Sequence, residues 1–182
     1  MTLPPGFRLE DERPADAADI ETLLDIAFGA DRRTKRSYAY RRGVDSVVAL
    51  RRVARDPAGR LVGTLRFWPV DVDRGDGAAS YPALLLGPLA VEPALKGQGV
   101  GRALMADGLA RAAGLGHGLV LLVGDLAYYG QFGFAPAASL GFAMPGEAPH
   151  RLLCLALRSG AATRPGVLVP ATPKPVPSRT GS

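Results

Sequence analysis

Residues 96–105, KGQGVGRALM, place three alternating glycines and two cations directly before a run with helical character. The first N–H groups of a helix have no partner within it, and the helix macrodipole makes that end electropositive. Proteins often cap this end with Ser, Thr, Asp or Asn. Here none of these lies between Lys96 and Arg102, and both cations add positive charge. A bound anion would relieve both problems, so the pattern predicts an anion site.

The three glycines indicate which kind of anion could bind. Without Cβ atoms at 97, 99 and 101 the backbone can approach a pyrophosphate and point several amides at it. The alternative is a mobile glycine turn, but a preceding strand, a following helix and flanking cations favour phosphate binding. The dinucleotide fingerprint G-x-G-x-x-G is disfavoured, because Arg102 or Leu104 would occupy its third glycine position. A nucleoside triphosphatase loop is excluded by the lack of any Gly-Lys pair.

The length and composition of the chain indicate which class of protein it belongs to. A chain of 182 residues that is 47% hydrophobic and 21% charged fits one folded domain. Its net charge of +5 includes three cations from residues 161–182, which contain no acid. The remainder is weakly basic, which permits a local patch for small acidic molecules. Nucleic acid is therefore a less favoured partner, although it stays open.

The sequence also predicts where the chain works. No apolar run approaches the roughly 20 residues that span a bilayer, and the first residues lack the order of a signal peptide. We therefore expect a cytoplasmic protein with no membrane association. Cys154 is the one cysteine, so it can form neither an internal disulfide nor a metal cluster, and we expect no metal. The sequence leaves open whether the chain forms a homodimer.

Periodicity predicts a mixed α/β order of elements. Residues 16–28 should form a helix after a short strand near 7–10, and the cation-rich residues 31–43 an exposed helix or loop. The remaining predictions are a hairpin over 47–54 and 60–72, a strand over 81–91, a helix from the glycines to about 113, a strand over 118–123, a short helix over 125–132 capped by Asp125, and a last strand over 150–158. Residues 161–182 hold five prolines and are expected to be a disordered tail.

Gly87 and Pro88 interrupt the apolar strand at 81–91. A proline cannot donate to the hydrogen-bond ladder, so we expect the strand to bulge or to splay from a neighbour. Backbone groups around Leu89, Ala90 and Val91 would then be free to bind something else.

Three segments in this order resemble the GNAT superfamily of N-acetyltransferases. The sequence KGQGVG is similar to the family's most diagnostic motif, Arg or Gln followed by x-x-Gly-x-Gly or Ala, with Lys96 in place of the first residue. Upstream, LGPLAVEP resembles the family's splayed strand. Downstream, YYGQFGF after Gly-Asp resembles its F-Y-x-x-x-G-F signature, in a form closer to a subgroup of bacterial predicted acetyltransferases. The resemblance covers roughly residues 7 to 158.

The resemblance implies a GNAT-like fold with a mostly antiparallel central sheet, a splayed middle strand and helices on both faces, occupying residues 1–160. It also implies acetyl-CoA as co-substrate. The implied cofactor-binding residues are Leu89, Ala90, Val91, Lys96, Gly97, Gln98, Gly99, Val100, Gly101 and Arg102. Tyr129 matches the family's general acid, whereas Tyr128 matches a packing aromatic.

The general base is harder to assign. Glu92 ends the splayed strand and is the candidate we name, while Asp71 and Asp73 end the preceding strand. Each could reach the site directly or through water. Cys154 is better explained as a small apolar strand residue than as a nucleophile.

The leading hypothesis is an acetyl-CoA-dependent N-acetyltransferase that acetylates a primary amine of a small molecule or protein. No placed Cys or Ser invites a covalent intermediate, so we expect direct attack in a ternary complex. One alternative is a CoA-binding sensor without turnover. Another is an acetyltransferase acting on aminoacyl-tRNA, suggested by the cations between Arg32 and Arg42.

Overall fold

The computed structural model describes residues 3–171. Within this range lie eight strands: β1 (Arg8–Asp11), β2 (Arg52–Arg55), β3 (Leu61–Asp73), β4 (Tyr81–Val91), β5 (Leu119–Val123), β6 (Ala135–Pro136), β7 (Leu152–Ala156) and β8 (Val167–Pro170). The α-helices are α1 (Ala17–Phe28), α2 (Arg36–Ala39), α3 (Val100–Gly114) and α4 (Leu126–Tyr129). Short 3₁₀ helices span Pro14–Asp16, Ala30–Thr34, Val48–Leu50, Pro93–Leu95, Gly130–Phe132, Ala137–Leu140 and Pro149–Arg151.

The strands form one mixed sheet in the order β1-β2-β3-β4-β5-β7-β6, with β8 also paired to β3. Among these eight strands, β4 and β5 form a parallel pair and the other pairs are antiparallel. Helix α3 covers one face, packing on residues such as Leu65 and Phe67, while α1 packs over Val53 and Ala90 on the other face. The predicted α/β fold, with a mostly antiparallel sheet between helices, is confirmed.

The middle of this sheet is open. Strand β4 pairs with β5 only at Leu84 and Leu85, so the rest of β4 beyond Leu85 leaves its neighbour. In the same region the β3–β4 register shifts between Leu65 and Phe67, which marks a bulge opposite Gly87-Pro88. The peptide bond between these two residues is cis, and Gly87 has a φ of 128°. The splay that the proline predicted is therefore present at that position.

Helix α3 approaches the sheet closely because of Gly108. A Cβ built on this residue would lie 2.7 Å from Leu65 Cδ2 and 2.9 Å from Phe67 Cε2. An ion pair reinforces the contact, since Arg52 of β2 is buried and its Nε donates to Asp107 Oδ2 at 2.6 Å. Packing and charge together fix the middle of α3 against β2 and β3.

The cation-rich segment is less exposed than its composition predicted. Arg32 is only 2% exposed, and its guanidinium donates to Glu21 and Asp25 of α1 and to the Tyr38 hydroxyl. Arg33 also donates to Glu21. The segment is thus tied to α1 by ion pairs that the local sequence pattern did not reveal, because the acids lie 7 to 12 residues away.

Part of the expected tail is ordered. Residues Val167–Pro170 form β8 and pair with Val70–Asp73 of β3, and Leu168 is buried. This differs from the expectation that residues 161–182 are disordered. The proline content of this segment favoured disorder, but the four-residue strand forms because it pairs with a strand about 100 residues upstream. Residues 172–182 lie outside the described part of the chain.

Replacing Gly108 with alanine should destabilise the fold. The new methyl would force Leu65 and Phe67 to move in a packed core, and overpacking of this kind costs about 1–3 kcal/mol. The matched control is Gly114→Ala, at the end of the same helix, where a Cβ meets no atom within 4 Å. Urea unfolding measures both variants, and a Gly108→Ala protein as stable as wild type would contradict this packing.

Candidate functional site

The amino-terminal end of α3 lacks a side-chain cap. Gly99 is the N-cap residue with φ 92° and ψ −8°, a left-handed conformation that glycine adopts without strain. The first hydrogen bond of the helix runs from Ala103 N–H to Gly99 C=O at 2.9 Å. The amides of Val100, Gly101 and Arg102 therefore precede the helical ladder, at the positive end of a 15-residue helix.

A cleft of about 610 Å³ opens over this helix start. We call it the glycine-loop cleft. It is lined by Ile26, Ala27, Phe28, Leu89, Ala90, Val91, Pro93, Leu95, Lys96, Gly97, Gly99, Gly101, Arg102, Tyr128, Tyr129 and Gln131. Eight of the ten residues predicted to bind cofactor are among them. The other two are Gln98, whose side chain donates to Ala94 C=O, and Val100, whose side chain is buried in the core.

The splayed part of β4 offers backbone groups to this cleft. Glu92 N–H donates to Val62 C=O of β3 at 2.9 Å. Successive residues of a strand point their backbone groups to opposite sides. Leu89 and Val91 must then direct their N–H and C=O groups away from β3, into the gap that β5 has left.

Tyr128 and Tyr129 form the other wall of the cleft. Their rings pack edge to face, with centroids 4.9 Å apart. A Cβ built on Gly101 would lie 3.0 Å from the Tyr128 hydroxyl oxygen, so Tyr128 reaches the first turn of α3. Tyr129 packs against the Gly124 backbone, where a Cβ would lie 2.2 Å from its ring, and against Phe134. Glycine at 124 is thus required for this ring position.

The surroundings of Tyr129 keep its hydroxyl protonated. The pKa of Tyr129 is raised to about 12, mainly by burial and also by nearby Tyr128 and Asp125, while Arg151 acts in the opposite direction. A phenol in this state can donate a proton at neutral pH. Asp125 occupies the N-cap position of α4 as expected, but its side chain makes no cap hydrogen bond and accepts from Arg151 Nη1 at 2.8 Å instead.

A second cleft, of about 540 Å³, lies on the other side of Tyr129. We call it the arginine-lined cleft. Its walls are Phe28, Arg32, Lys35, Arg36, Ser37, Tyr38, Arg41, Leu85, Leu86, Gly87, Pro88, Leu89, Val123, Tyr129, Glu147, Ala148, His150 and Arg151. The two clefts share Phe28, Leu89 and Tyr129. They therefore meet where β4 has separated from β5.

The candidate bases fall in different places. Glu92 lines neither cleft, and Asp73 accepts from Gly75 N–H in a loop at the far end of β3. Glu147 and His150 do line the arginine-lined cleft. Sequence reasoning missed both, because they lie in an irregular segment with no pattern linking it to β4. Asp71 likewise lines neither cleft.

Other chemistries find little support in residues 3–171. Cys154 is buried in β7, its pKa raised by burial, and it lines neither cleft. Within this range no group of three or more His, Cys, Asp or Glu side chains is arranged to hold a metal ion. Nor is any helix of that range both long and apolar enough to cross a bilayer.

Comparison with known proteins gives a consistent result. Residues 11–137 match the family model described as an acetyltransferase (GNAT) domain. The uncharacterized N-acetyltransferase YhbS of Escherichia coli K12 is 36% identical over 127 residues, which cover 70% of this chain and 72% of YhbS. The uncharacterized N-acetyltransferase YjhQ of the same organism is 30% identical over 146 residues, covering 79% of this chain and 77% of YjhQ.

Solved structures agree in fold over most of the chain. A crystal structure of E. coli YhbS in complex with CoA superposes with a TM-score of 0.76 and 30% identity, covering 89% of this chain and 88% of that one. A GNAT family acetyltransferase from Brucella melitensis in complex with acetyl-CoA gives a TM-score of 0.64 and 30% identity, covering 89% and 94%. Sequence match, fold and site geometry lead to one assignment: the chain belongs to the GNAT family of acetyltransferases.

Proposed function

We propose that the protein uses acetyl-CoA to acetylate a primary amine by direct attack in a ternary complex. One observation carries the proposal: two clefts meet at Leu89 and Tyr129, and one of them is built around an uncapped helix start. A transferase needs two substrates held on either side of one reacting centre. The meeting point supplies unpaired strand groups from one wall and a protonated hydroxyl from the other.

The glycine-loop cleft suits CoA. Amides of Val100, Gly101 and Arg102 point at the position where a pyrophosphate would lie, and the absence of a Cβ on Gly101 keeps the approach open. Lys96 and Arg102 add positive charge at the same end. The gap beside Leu89 and Val91 would take the pantetheine arm as an extra strand, with backbone hydrogen bonds of the kind β-strand addition uses. The presence of CoA and acetyl-CoA in the two related structures supports CoA as the ligand.

A small number of side chains would carry out the proton transfers of the reaction. The neutral amine nitrogen attacks the thioester carbonyl, an N–C bond forms, and the C–S bond breaks. Tyr129, which lines both clefts, gives its proton to the departing thiolate sulfur. The amine loses its proton to a base, and Glu147 or His150 could receive it directly or through water because both line the arginine-lined cleft. Glu92, the base predicted from the sequence, lines neither cleft.

Direct attack is favoured over an acyl-enzyme. A covalent route needs an exposed nucleophile activated by a neighbouring base. Cys154 is 2% exposed and its thiol has a raised pKa, so it is neither accessible nor activated.

The two alternatives, an aminoacyl-tRNA acetyltransferase and a CoA sensor, are both less well supported by the structure. Recognition of aminoacyl-tRNA would require free cations for phosphate contacts. Arg32 and Arg33, two of the six cations that suggested this alternative, are already paired with Glu21 and Asp25, which reduces the charge available to it. A CoA sensor would need only the glycine-loop cleft, so the second cleft and Tyr129 favour an enzyme.

Labelled acetyl-CoA tests the function directly. Incubation with pools of small amines, protein amines and tRNA should transfer label to an amine in the small-molecule or protein pool. Tight CoA binding without labelled product from any pool would instead support the sensor. Label in the tRNA pool, with binding that weakens steeply as salt rises, would support the nucleic-acid alternative.

Gly101→Ala should weaken CoA binding without weakening the fold. The added Cβ would crowd the Tyr128 hydroxyl at 3.0 Å and Val91 Cγ2 at 3.4 Å, both in the wall of the cleft. We expect the Kd for CoA to rise about tenfold, which corresponds to about 1.4 kcal/mol. Calorimetric titration measures the effect, and Gly114→Ala in the same helix is the control. Unchanged affinity in Gly101→Ala would contradict the assigned position of CoA.

Tyr129→Phe tests the general acid. Removal of the hydroxyl should lower kcat by about 10²–10⁴-fold while the Kd for CoA stays near the wild-type value. Tyr128→Phe removes the neighbouring hydroxyl at the helix start and should change KM for acetyl-CoA more than kcat. Because the pKa of Tyr129 is raised to about 12, wild-type kcat should not fall up to about pH 10, the ordinary tyrosine pKa. If Tyr129→Phe and Tyr128→Phe have the same kcat, Tyr129 is not the general acid.

A further inference from the structure

Arg41 occupies an unusual position in the arginine-lined cleft. Its guanidinium carbon lies 4.4 Å from the centre of the Tyr38 ring and 5.6 Å from that of Trp68. Its Nη2 lies 3.3 Å from the position of a Cβ built on Gly87, so it reaches the splay of β4. The same side chain lines an adjoining cavity of about 330 Å³ with Arg66 and Trp68. Arg41 is therefore held by aromatic rings at the place where β4 bulges.

The guanidinium lacks partners for its buried donors. Three buried side-chain polar atoms in residues 3–171 have no hydrogen-bond partner, and Nε and Nη1 of Arg41 are two of them. A buried donor without an acceptor is costly, and more so when it carries charge. The pKa of Arg41 is accordingly lowered to about 10, mainly by burial; the Tyr38 side chain opposes this lowering, and the positive charges of Arg66 and Arg32 contribute to it.

Three neighbouring arginines differ from Arg41 because each is paired with an acid. Arg32 is paired with Glu21 and Asp25, Arg66 with both oxygens of Glu12, and Arg151 with Asp125. In the described part of the chain Arg41 forms no ion pair. The acid that lines the same cleft, Glu147, uses Oε1 to accept from Ala148 N–H. The cleft thus holds a fixed positive charge with unused donors.

We propose that the acceptor amine carries an anionic group, a carboxylate or a phosphate, that Arg41 binds. This inference rests on the proposed function, because it assigns the substrate class of the same site. The planar guanidinium matches two oxygens of either anion, and the Tyr38 and Trp68 rings hold it in place. An anion there satisfies the Nε and Nη1 donors that the protein leaves unmatched.

The shape of the cleft fits a small molecule. Its 540 Å³ lie within the range of sites that enclose metabolite-sized ligands. Arg41 and Gly87 lie in one wall and Tyr129 and Leu89 line the junction with the glycine-loop cleft. The anionic group binds at Arg41 and the amine of the same molecule reaches toward the junction.

Equilibrium binding to the CoA-loaded protein tests this without turnover. The probes are 3-aminopropanoate, 2-aminoethyl phosphate and propylamine, which share a primary amine on a short chain. Wild-type protein should bind at least one anionic probe about 10- to 100-fold tighter than propylamine, the range expected for a charge-assisted hydrogen bond. Whichever anionic probe binds tighter distinguishes carboxylate from phosphate.

Arg41→Met should abolish the preference by reducing affinity for the anionic probe to that for propylamine. Arg41→Lys, which keeps the charge but loses the planar fork, should retain part of it. Arg42→Met changes the adjacent exposed arginine and should keep the full preference. Thermal unfolding checks that each variant is folded, and loss of an unpaired buried charge should not lower the Tm of Arg41→Met.

Three outcomes would overturn the anion site: equal binding of charged and neutral probes to wild type, no binding of either anionic probe, or a preference that survives Arg41→Met. Acetylation of the probes is measured separately. Preferential binding that depends on Arg41, with no acetyl transfer to any amine, would contradict the proposed function while the anion site stands.

Discussion

The separation of β4 from β5 is the constraint on which the rest of the site depends. Two strands that stay paired leave no backbone groups for a ligand, whereas here pairing ends at Leu85 and the strand continues to Val91. The gap exposes the groups of Leu89 and Val91 and joins the two clefts. A bulge opposite Gly87-Pro88 accompanies the change in direction, because the proline cannot donate to the ladder. Without the gap, the helix start and Tyr129 would belong to unconnected surfaces.

Charge at the site follows one physical rule. Buried cations need partners: the buried Arg32 and Arg52 are paired with carboxylates, and so are Arg66 and Arg151. Two places depart from the rule: the uncapped start of α3, flanked by Lys96 and Arg102, and the guanidinium of Arg41. One lies on each side of the junction between the clefts. The two departures correspond to the two substrates of the proposed reaction.

Several elements of this arrangement could be predicted from local sequence. Alternating glycines before a helix indicated the anion site, and eight of the ten predicted cofactor residues line one cleft. The bounds of α1, β4 and α3 agree closely with their periodic patterns. Two predictions depended on long-range contacts and differed from the structure: β8 pairs with β3 across about 100 residues, and Arg32 is buried by acids of α1. Local propensity carries no information about such partners.

The sequence alone determined the chemistry available at the helix start, because glycine spacing and the lack of a capping side chain are local properties that act within one turn. It also determined that β4 would be interrupted, since proline removes a donor wherever it stands. Only the tertiary structure decided what faces the opening: Glu147, His150 and Arg41 come from segments far apart in the chain. Their positions depend on how the loops pack on the sheet, and packing is a property of the whole fold.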